Sequence, residues 1–202
     1  MNKNTVITIS REYGSGGRFI GRIVSQKLGI KLYDKELLEL VANDSGYSKE
    51  YLDTLDEKPS DRFLSAIASN LGSSFSGLPI SEQIMLKTFG AIRALAESES
   101  CVIIGRCSDY VLRDYDNVIN IFIYSSMENR VRKVVDYYNV DEKDVKKIIN
   151  RIDKQRATYY EQNTDRSWGD VHNYDLAIDS SLLGAEKTAE LIIELYKTFQ
   201  DK

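Results

Sequence analysis

The sequence is poor in the residues that build disulfide and metal sites. Its 202 residues include two cysteines, two prolines, one histidine and one tryptophan. Cys101 and Cys107 lie six residues apart around an apolar segment, a spacing that does not fit a zinc site and gives no sign of a disulfide scaffold. His172 has no second histidine with which to bind a metal ion or relay a proton. These scarcities argue against a Cys/His metalloprotein and against a small disulfide-stabilised domain.

Long apolar runs and a strong excess of one charge are also missing. No apolar run approaches the roughly 20 residues that a membrane-spanning helix needs. The first apolar segment, residues 1–9, turns polar at Ser10, which is too early for a signal peptide and predicts a strand. The formal net charge of −4 does not attract the chain to nucleic acid or to an anionic membrane. We therefore expect a cytoplasmic protein that binds a small molecule, with no nucleic-acid or membrane partner.

Apolar segments of strand type alternate with amphipathic helical patterns along the chain. Strands are predicted at residues 6–9, 30–33, 101–104, 118–124 and 174–178. Helical patterns are predicted around residues 20–28, 80–97, 127–138, 141–160 and 189–196. Strands that alternate with helices indicate a parallel sheet covered by helices on both faces.

A glycine-rich loop follows the first predicted strand and opens the first predicted helix. Gly14, Gly16 and Gly17 lie within four residues, and such a junction directs backbone N–H groups and the positive end of the helix dipole at one point. Phosphate is the natural ligand there, since glycine lets the backbone approach the anion. A tight turn without a ligand is one alternative. A dinucleotide-binding loop fits less well, because Gly14, Gly16 and Gly21 do not match the G-x-G-x-x-G spacing.

Five short segments carry a resemblance to a known family. They are Ile-Ser-Arg-Glu-Tyr-Gly-Ser-Gly-Gly-Arg at 9–18, Leu-Tyr-Asp-Lys-Glu-Leu-Leu at 32–38, Ile-Ile-Gly-Arg at 103–106, Trp-Gly-Asp at 168–170 and Asn-Tyr-Asp at 173–175. In these segments the chain resembles the cytidylate kinase-like family of P-loop proteins, and the resemblance extends over nearly the whole sequence.

The resemblance implies a three-layer α/β P-loop NTPase fold with a five-stranded parallel sheet, helices on both faces, and helical insertions for acceptor and lid. It implies a single kinase domain over residues 1–202, with an acceptor-binding helical insertion at 35–79 and a lid-like segment at 139–172. The insertion has an interrupted helical pattern, with a helix start at Pro59 and a loop over 72–77. The implied activity is phosphotransfer from ATP, with Mg²⁺, to a nucleoside monophosphate such as CMP or dCMP.

The chemistry of the loop and the resemblance together suggest roles for individual residues. The residues expected to act catalytically on the phosphates are Arg18, Arg106, Arg151 and Arg156. Those expected to bind the nucleotide are Arg11, Tyr13, Gly14, Ser15, Gly16, Gly17, Arg18, Phe19, Arg130 and Ser180. Those expected to bind the substrate are Asp34, Arg106 and Asp109, and the candidate magnesium ligands are Ser15 and Asp34.

The glycine loop departs from the Walker A pattern G-x-x-x-x-G-K-[ST]. When the two are aligned on Gly16, the lysine position holds Gly17 and the hydroxyl position holds Arg18. We expect Arg18 to supply the missing cation, because a guanidinium pairs well with phosphate. Cys107 stands where cytidylate kinases carry a carboxylate, which counts against a pyrimidine preference.

Other functions and structural roles stay open at this point. The absent lysine is compatible with a nucleotide-binding protein without turnover, and the altered acceptor segment with a P-loop kinase for another small acceptor. Arg151 lies on a basic helix face that could simply be solvated, and Asp34 could cap the next helix. Trp168 and Cys107 are expected to pack in the core. The 13 tyrosines are compatible with core packing or with a homodimer interface.

Overall fold

The computed structural model describes residues 4–34, 37, 80–138 and 142–201. The predicted helix start at Pro59, the predicted loop over 72–77 and almost all of the predicted insertion at 35–79 lie outside these residues. The elements below are numbered along the described part of the chain.

Five parallel strands form one sheet. They are β1 (Val6–Arg11), β2 (Lys31–Tyr33), β3 (Cys101–Ile104), β4 (Val118–Tyr124) and β5 (Leu176–Asp179). Their order across the sheet is β2-β3-β1-β4-β5. Ile9 of β1 is paired with Ile104 of β3 and with Ile121 of β4. The carboxyl end of β1 therefore lies between those of β3 and β4, which is where open α/β sheets bind ligands.

Helices connect the strands. They are α1 (Gly17–Leu28), α2 (Ile80–Ser98), α3 (Ser108–Val111), α4 (Met127–Tyr138), α5 (Glu142–Asn163) and α6 (Ser180–Gln200), with a 3₁₀ turn at Val171–Asn173. None of the helices in the described residues is long and apolar enough to cross a bilayer.

Alternate side chains of β1 enter two different cores. Ile7 and Ile9 pack with Ile20 of α1 in one buried cluster, which also includes residues of α6. Val6 packs in the other cluster with Ile92 of α2. These side chains are fully buried. They enter two different cores because successive strand side chains point to opposite faces of a sheet. The predicted three-layer α/β fold with a five-stranded parallel sheet is confirmed.

The boundaries of several elements differ from the sequence prediction. β1 continues to Arg11, two residues beyond its predicted end, because Arg11 is paired with Ile123 of β4. β5 begins at Leu176, two residues after the predicted start, because the chain before it forms the 3₁₀ turn capped by Asp170. The short helix α3 was not predicted, since four residues are too few to show a helical period.

Candidate active site

The glycine loop lies at the carboxyl edge of the sheet, between β1 and α1. Gly14 and Gly16 adopt φ angles of +79° and +85°, in the left-handed region that favours glycine. Gly16 is the N-cap of α1, and its carbonyl accepts the hydrogen bond from Ile20 N–H. The N–H groups of the first helical turn have no acceptor within the helix and, with the helix dipole, favour an anion at this point.

Hydrogen bonds fix the shape of the loop around Ser15. The Ser15 hydroxyl donates to the Glu12 carbonyl at 2.9 Å, while the Ser15 carbonyl accepts from the Ser180 hydroxyl at 2.6 Å and from Lys133 Nζ at 3.2 Å. Ser15 is completely buried and Ser180 is 1% exposed. Ser180, predicted to bind the nucleotide, therefore contacts the backbone of the loop. The Ser15 hydroxyl, a predicted magnesium ligand, donates its hydrogen bond to the Glu12 carbonyl.

Arg130 of α4 supports the loop from inside the protein. Its Nε donates to the Tyr13 carbonyl at 2.8 Å, Nη1 lies 3.1 Å from Glu12 Oε2, and Nη2 forms an ion pair with Asp153. Burial raises the pKa of Glu12, against the lowering effects of the Ser125 N–H and of Arg130. Arg130 was predicted to bind the nucleotide, but in this structure its three guanidinium nitrogens form a hydrogen bond and ion pairs with protein groups.

A cleft beside the loop gathers arginines from three parts of the chain. It is a shallow space at the carboxyl ends of β1 and β3, of about 300 Å³ when the open solvent at its mouth is included. The residues that line it are Ser10, Arg11, Gly105, Arg106, Cys107, Arg156, Tyr159, Tyr160 and Trp168. Arg11 and Arg106 are only 6% and 8% exposed, so bulk water screens their charges poorly. The charges that line the cleft therefore favour an anionic group.

A left-handed turn brings Arg106 into this cleft. Gly105, Arg106 and Cys107 have φ angles of +69°, +61° and +55°, and the turn is closed by a hydrogen bond from Ser108 N–H to the Gly105 carbonyl at 3.1 Å. A left-handed conformation costs a residue with a Cβ about 1–2 kcal/mol. Two such residues in succession store strain at the edge of the cleft. Cys107 is 3% exposed, as expected for a residue that packs in the core.

Helix α5 contributes Arg156 to the cleft and leaves Arg151 in solvent. Arg156 Nη1 donates to the Arg11 carbonyl at 3.0 Å, and its guanidinium carbon lies 5.7 Å from the centre of the Tyr13 ring. Arg151 is exposed and does not line the cleft. Both arginines were predicted to act on the phosphates, although five residues along a helix place them about 140° apart; of the two, Arg156 lines the cleft.

Arg18 and Asp34 contact each other. Arg18 Nη2 donates to Asp34 Oδ1 at 3.1 Å, and Arg18 Nε forms an ion pair with the same carboxylate. The side chain of Arg18 is 44% exposed and that of Asp34 is 14% exposed; the neighbouring Phe19 is 46% exposed. Neither Arg18 nor Asp34 lines the cleft. Arg18 was expected to take the role of the Walker lysine, but in this structure its guanidinium is paired with the Asp34 carboxylate.

Asp109 lies behind the cleft. It is 1% exposed, and its Oδ2 accepts a hydrogen bond from the Tyr160 hydroxyl at 2.6 Å. Its Oδ1 has no hydrogen-bond partner among the described residues. Burial raises the pKa of Asp109, against the lowering effect of the Tyr160 hydrogen bond. Asp109 was predicted to bind the substrate, whereas here it contacts a cleft-lining tyrosine.

Sequence reasoning missed Lys133. Its Nζ lies 3.3 Å from the place where a Cβ of Gly16 would be, besides donating to the Ser15 carbonyl. Burial, reinforced by the charge of Arg132, lowers the pKa of Lys133. The available signal was its position three residues after Arg130 on the same helix, since such residues are neighbours on a helix surface.

Trp168 both packs and lines the cleft. Its ring meets Phe122 of β4 edge-on, with 5.5 Å between the ring centres, as expected for a structural tryptophan.

Within the described residues, no group of three or more His, Cys, Asp or Glu side chains is arranged to hold a metal ion.

The sequence that forms the loop, the cleft and α5 matches the model of one family. The family model of the cytidylate kinase-like family matches residues 6–182, a range that contains every residue of the loop and the cleft. The chain belongs to the cytidylate kinase-like family. No curated protein matches the sequence significantly.

Solved structures show the same fold as this cytidylate kinase-like protein. An uncharacterized protein from Eubacterium ventriosum ATCC 27560 is 28% identical, with a TM-score of 0.74 over 96% of this chain and 99% of that one. Shikimate kinase from Acinetobacter baumannii, in complex with shikimate, is 12% identical, with a TM-score of 0.53 over 98% and 95%. A gluconokinase from Sinorhizobium meliloti 1021 is 12% identical, with a TM-score of 0.50 over both full lengths. The fold is that of P-loop kinases.

Proposed function

We propose that this protein is an ATP-dependent phosphotransferase whose acceptor is a nucleoside monophosphate of the CMP or dCMP type. The observation that carries the proposal is the adjacency of two anion-binding features. The N-terminus of α1 forms one of them, and the cleft lined by Arg11, Arg106 and Arg156 forms the other. Strand β1 ends at Arg11 and leads directly into the loop, so a donor phosphate and an anionic acceptor would meet there.

The reaction needs positioning and charge neutralisation more than covalent help from the protein. The bond from the γ-phosphorus of ATP to the bridging oxygen breaks, and a bond from that phosphorus to an acceptor phosphate oxygen forms. The products are ADP and a nucleoside diphosphate. An ionised acceptor phosphate has no proton to lose, so the reaction requires no general base.

The described residues fit the phosphates of ATP better than they fit a magnesium ion. The first turn of α1 and Lys133 lie around one point and favour an anion. The two side chains expected to hold Mg²⁺, Ser15 and Asp34, are engaged on the Glu12 carbonyl and on Arg18. We therefore propose ATP as the donor and assign no step to protein-held magnesium.

An enzyme that consumes ATP needs a compartment that contains it, so we propose that the protein acts in the cytoplasm.

The composition of the cleft favours a phosphate-bearing acceptor with a flat ring. Arginine binds phosphate through two parallel hydrogen bonds, and Tyr159 and Trp168 offer aromatic surface beside the arginines. A second candidate is a different small anionic acceptor, because Cys107 lies in the cleft where cytidylate kinases carry a carboxylate. A third candidate is nucleotide binding without turnover, which the absence of a lysine at Gly17 favours.

The test is ATP consumption by the purified full-length chain, with Mg²⁺, against a panel of nucleoside monophosphates. Arg156→Ala is expected to lower kcat/KM about 100-fold, as expected when one arginine is removed from the transferring phosphates. Lys154→Ala, an exposed lysine on the same helix, is the matched control and should keep the wild-type rate.

The outcomes separate the three candidates. Turnover on CMP or dCMP supports the proposal, and turnover only on a non-nucleotide acceptor supports the second candidate. ATP binding without turnover on any acceptor supports the third. A chain that does not bind ATP contradicts all three.

A further inference from the structure

Compared with the Walker A pattern, the loop has exchanged the residues at its two ends. In G-x-x-x-x-G-K the first glycine lies five residues before the second, and the lysine follows the second. With Gly16 in the place of the second glycine, the first-glycine position holds Arg11 and the lysine position holds Gly17. A glycine and a cation are both present, but each occupies the position of the other.

The structure shows that these two positions share one space. A Cβ atom on Gly17 would lie 2.6 Å from Arg11 Cβ and 3.0 Å from Arg11 Cγ. Carbon atoms that are not bonded to each other approach to about 3.5–4.0 Å. The stem of Arg11 therefore fills the volume in which a side chain at position 17 would begin. A long side chain fits at position 11 or at position 17, but not at both.

Backbone pairing fixes where the Arg11 side chain starts. Arg11 is the last residue of β1, paired with Ile123 of β4, and its carbonyl accepts the hydrogen bond from Arg156. Its side chain crosses Gly17, the first residue of α1, and lines the cleft with Arg106. Arg18 is about half exposed and paired with Asp34, and it does not line the cleft. Arg11 therefore joins the first turn of α1 to the cleft.

We propose that Arg11 is the loop cation of this protein, in place of the Walker lysine, and that position 17 is glycine to make room for it. The inference rests on the proposed function, since it assigns a residue to the same phosphate site. Arg11 would neutralise the charge of the ATP phosphates and would make or break no covalent bond. The planar guanidinium can donate two parallel hydrogen bonds to two phosphate oxygens, whereas a lysine ammonium acts as a compact point charge.

A reciprocal exchange of the two residues tests this assignment. Arg11→Gly should weaken ATP binding at least tenfold and lower any kcat/KM about 100-fold or more, because the cation is lost. Gly17→Lys should also bind ATP poorly and should be less stable than wild type, because its Cβ meets Arg11. The double variant Arg11→Gly/Gly17→Lys restores the glycine and the lysine of the consensus. It should bind ATP at least tenfold more tightly than either single variant and be more stable than Gly17→Lys.

Two further variants exclude a purely structural role. Arg11→Lys keeps the stem and the charge and should retain most of the ATP affinity. Arg11→Met keeps the stem without the charge, and should lose the affinity while it keeps the midpoint of unfolding near that of Arg11→Lys. Equal ATP binding by the lysine and methionine variants would overturn the proposal, as would a double variant no better than Gly17→Lys.

The readouts separate this inference from the proposed function. ATP binding by the wild type that is unchanged in Arg11→Gly but lost in Arg18→Ala overturns the assignment of Arg11 and leaves the proposed function intact. A wild type that binds no ATP overturns both. The non-additive effect of the two substitutions on unfolding tests the steric exclusion without any ligand.

Discussion

The carboxylate of Asp153 joins helix α5 to Tyr13 of the glycine loop. Asp153 Oδ1 accepts the Tyr13 backbone N–H at 2.7 Å, and Oδ2 forms the ion pair with Arg130. The same helix carries Arg156 into the cleft. The position of the cleft arginine on α5 is therefore coupled to the conformation of the loop through one partly buried carboxylate.

Asp153→Ala should destabilise the protein by about 3 kcal/mol, because the buried Arg130 charge loses one of the two carboxylates with which it forms ion pairs among the described residues. Urea unfolding measures the loss. Asp144→Ala, on the same helix, removes an exposed carboxylate that lies 3.8 Å from Lys147 Nζ and should cost at most about 0.5 kcal/mol. Similar losses in both variants would contradict the role assigned to Asp153.

The left-handed turn at Arg106 predicts a separation of stability from activity. Arg106→Gly and Arg106→Ala should both lower kcat/KM about 100-fold, because both remove a cleft cation. The glycine variant should nevertheless be about 1 kcal/mol more stable than the alanine variant, since only glycine adopts φ +61° without strain. Thermal or urea unfolding of the purified variants measures the difference.

Arg113 is the control for that comparison, because its φ angle is not in the positive region. There the glycine variant should be less stable than the alanine variant. The same order of stability at both positions would mean that the turn at Arg106 is not strained.

Gly14 should tolerate a side chain less well than Gly29. A Cβ on Gly14 would lie 3.0 Å from the Arg130 carbonyl oxygen and 3.1 Å from Val134 Cγ2, whereas a Cβ on Gly29 meets nothing within 4 Å. Both glycines have a positive φ, so Gly29→Ala measures the backbone cost alone, about 1 kcal/mol. Gly14→Ala adds overpacking and should cost about 2–4 kcal/mol. Equal losses would show that the loop does not pack against α4 as described.

The buried carboxyl of Asp109 predicts a pH dependence of stability. Because burial raises its pKa, the folded protein keeps this proton to a higher pH than the unfolded chain does. Between the two pKa values the folded state binds more protons, so the free energy of unfolding falls as the pH rises through that range. In Asp109→Asn, the free energy of unfolding should no longer decrease over this pH range through the loss of that proton. The variant should keep the hydrogen bond from Tyr160, since the amide oxygen still accepts it.

Urea unfolding at a series of pH values from about 4 to 8 tests this prediction. Asp114→Asn, whose carboxylate is 79% exposed, controls for the loss of one negative charge. A stability profile of Asp109→Asn that parallels that of the wild type would contradict the prediction.

The sheet was predictable because local patterns carry the information. The apolar run at 101–104 is completely surrounded by other strands and helices, and its predicted bounds agree with β3. A continuous apolar run of that length indicates a strand buried on both faces. The ends of β1 and β5 were wrong by two residues, because strand ends depend on pairing with β4 and on the 3₁₀ turn, which lie elsewhere in the chain.

The roles assigned to the site residues stay predictions, but their positions can be compared with the structure. Arg106 and Arg156 line one cleft, and Arg156 also lies 5.7 Å from the Tyr13 ring of the loop, since the loop and Arg106 follow strands that end at the same edge of the sheet. Arg18 was assigned to the phosphates from its distance to Gly16 along the chain, but a distance along the chain does not reveal the Asp34 carboxylate beside it. Lys133 was missed because it reaches the loop from a helix more than 100 residues away in sequence.

The sequence by itself determined the α/β class, the order of strands and helices, and the glycine loop, because periodicity, apolar runs and glycine spacing are local properties. Only the tertiary structure showed that Arg11 and Gly17 compete for one space. Arg11 and Gly17 are six positions apart, and their exclusion of each other arises from the close approach of β1 to the first turn of α1. The positive φ of Arg106 was equally hidden, since no glycine marks that position and the surrounding fold imposes its conformation.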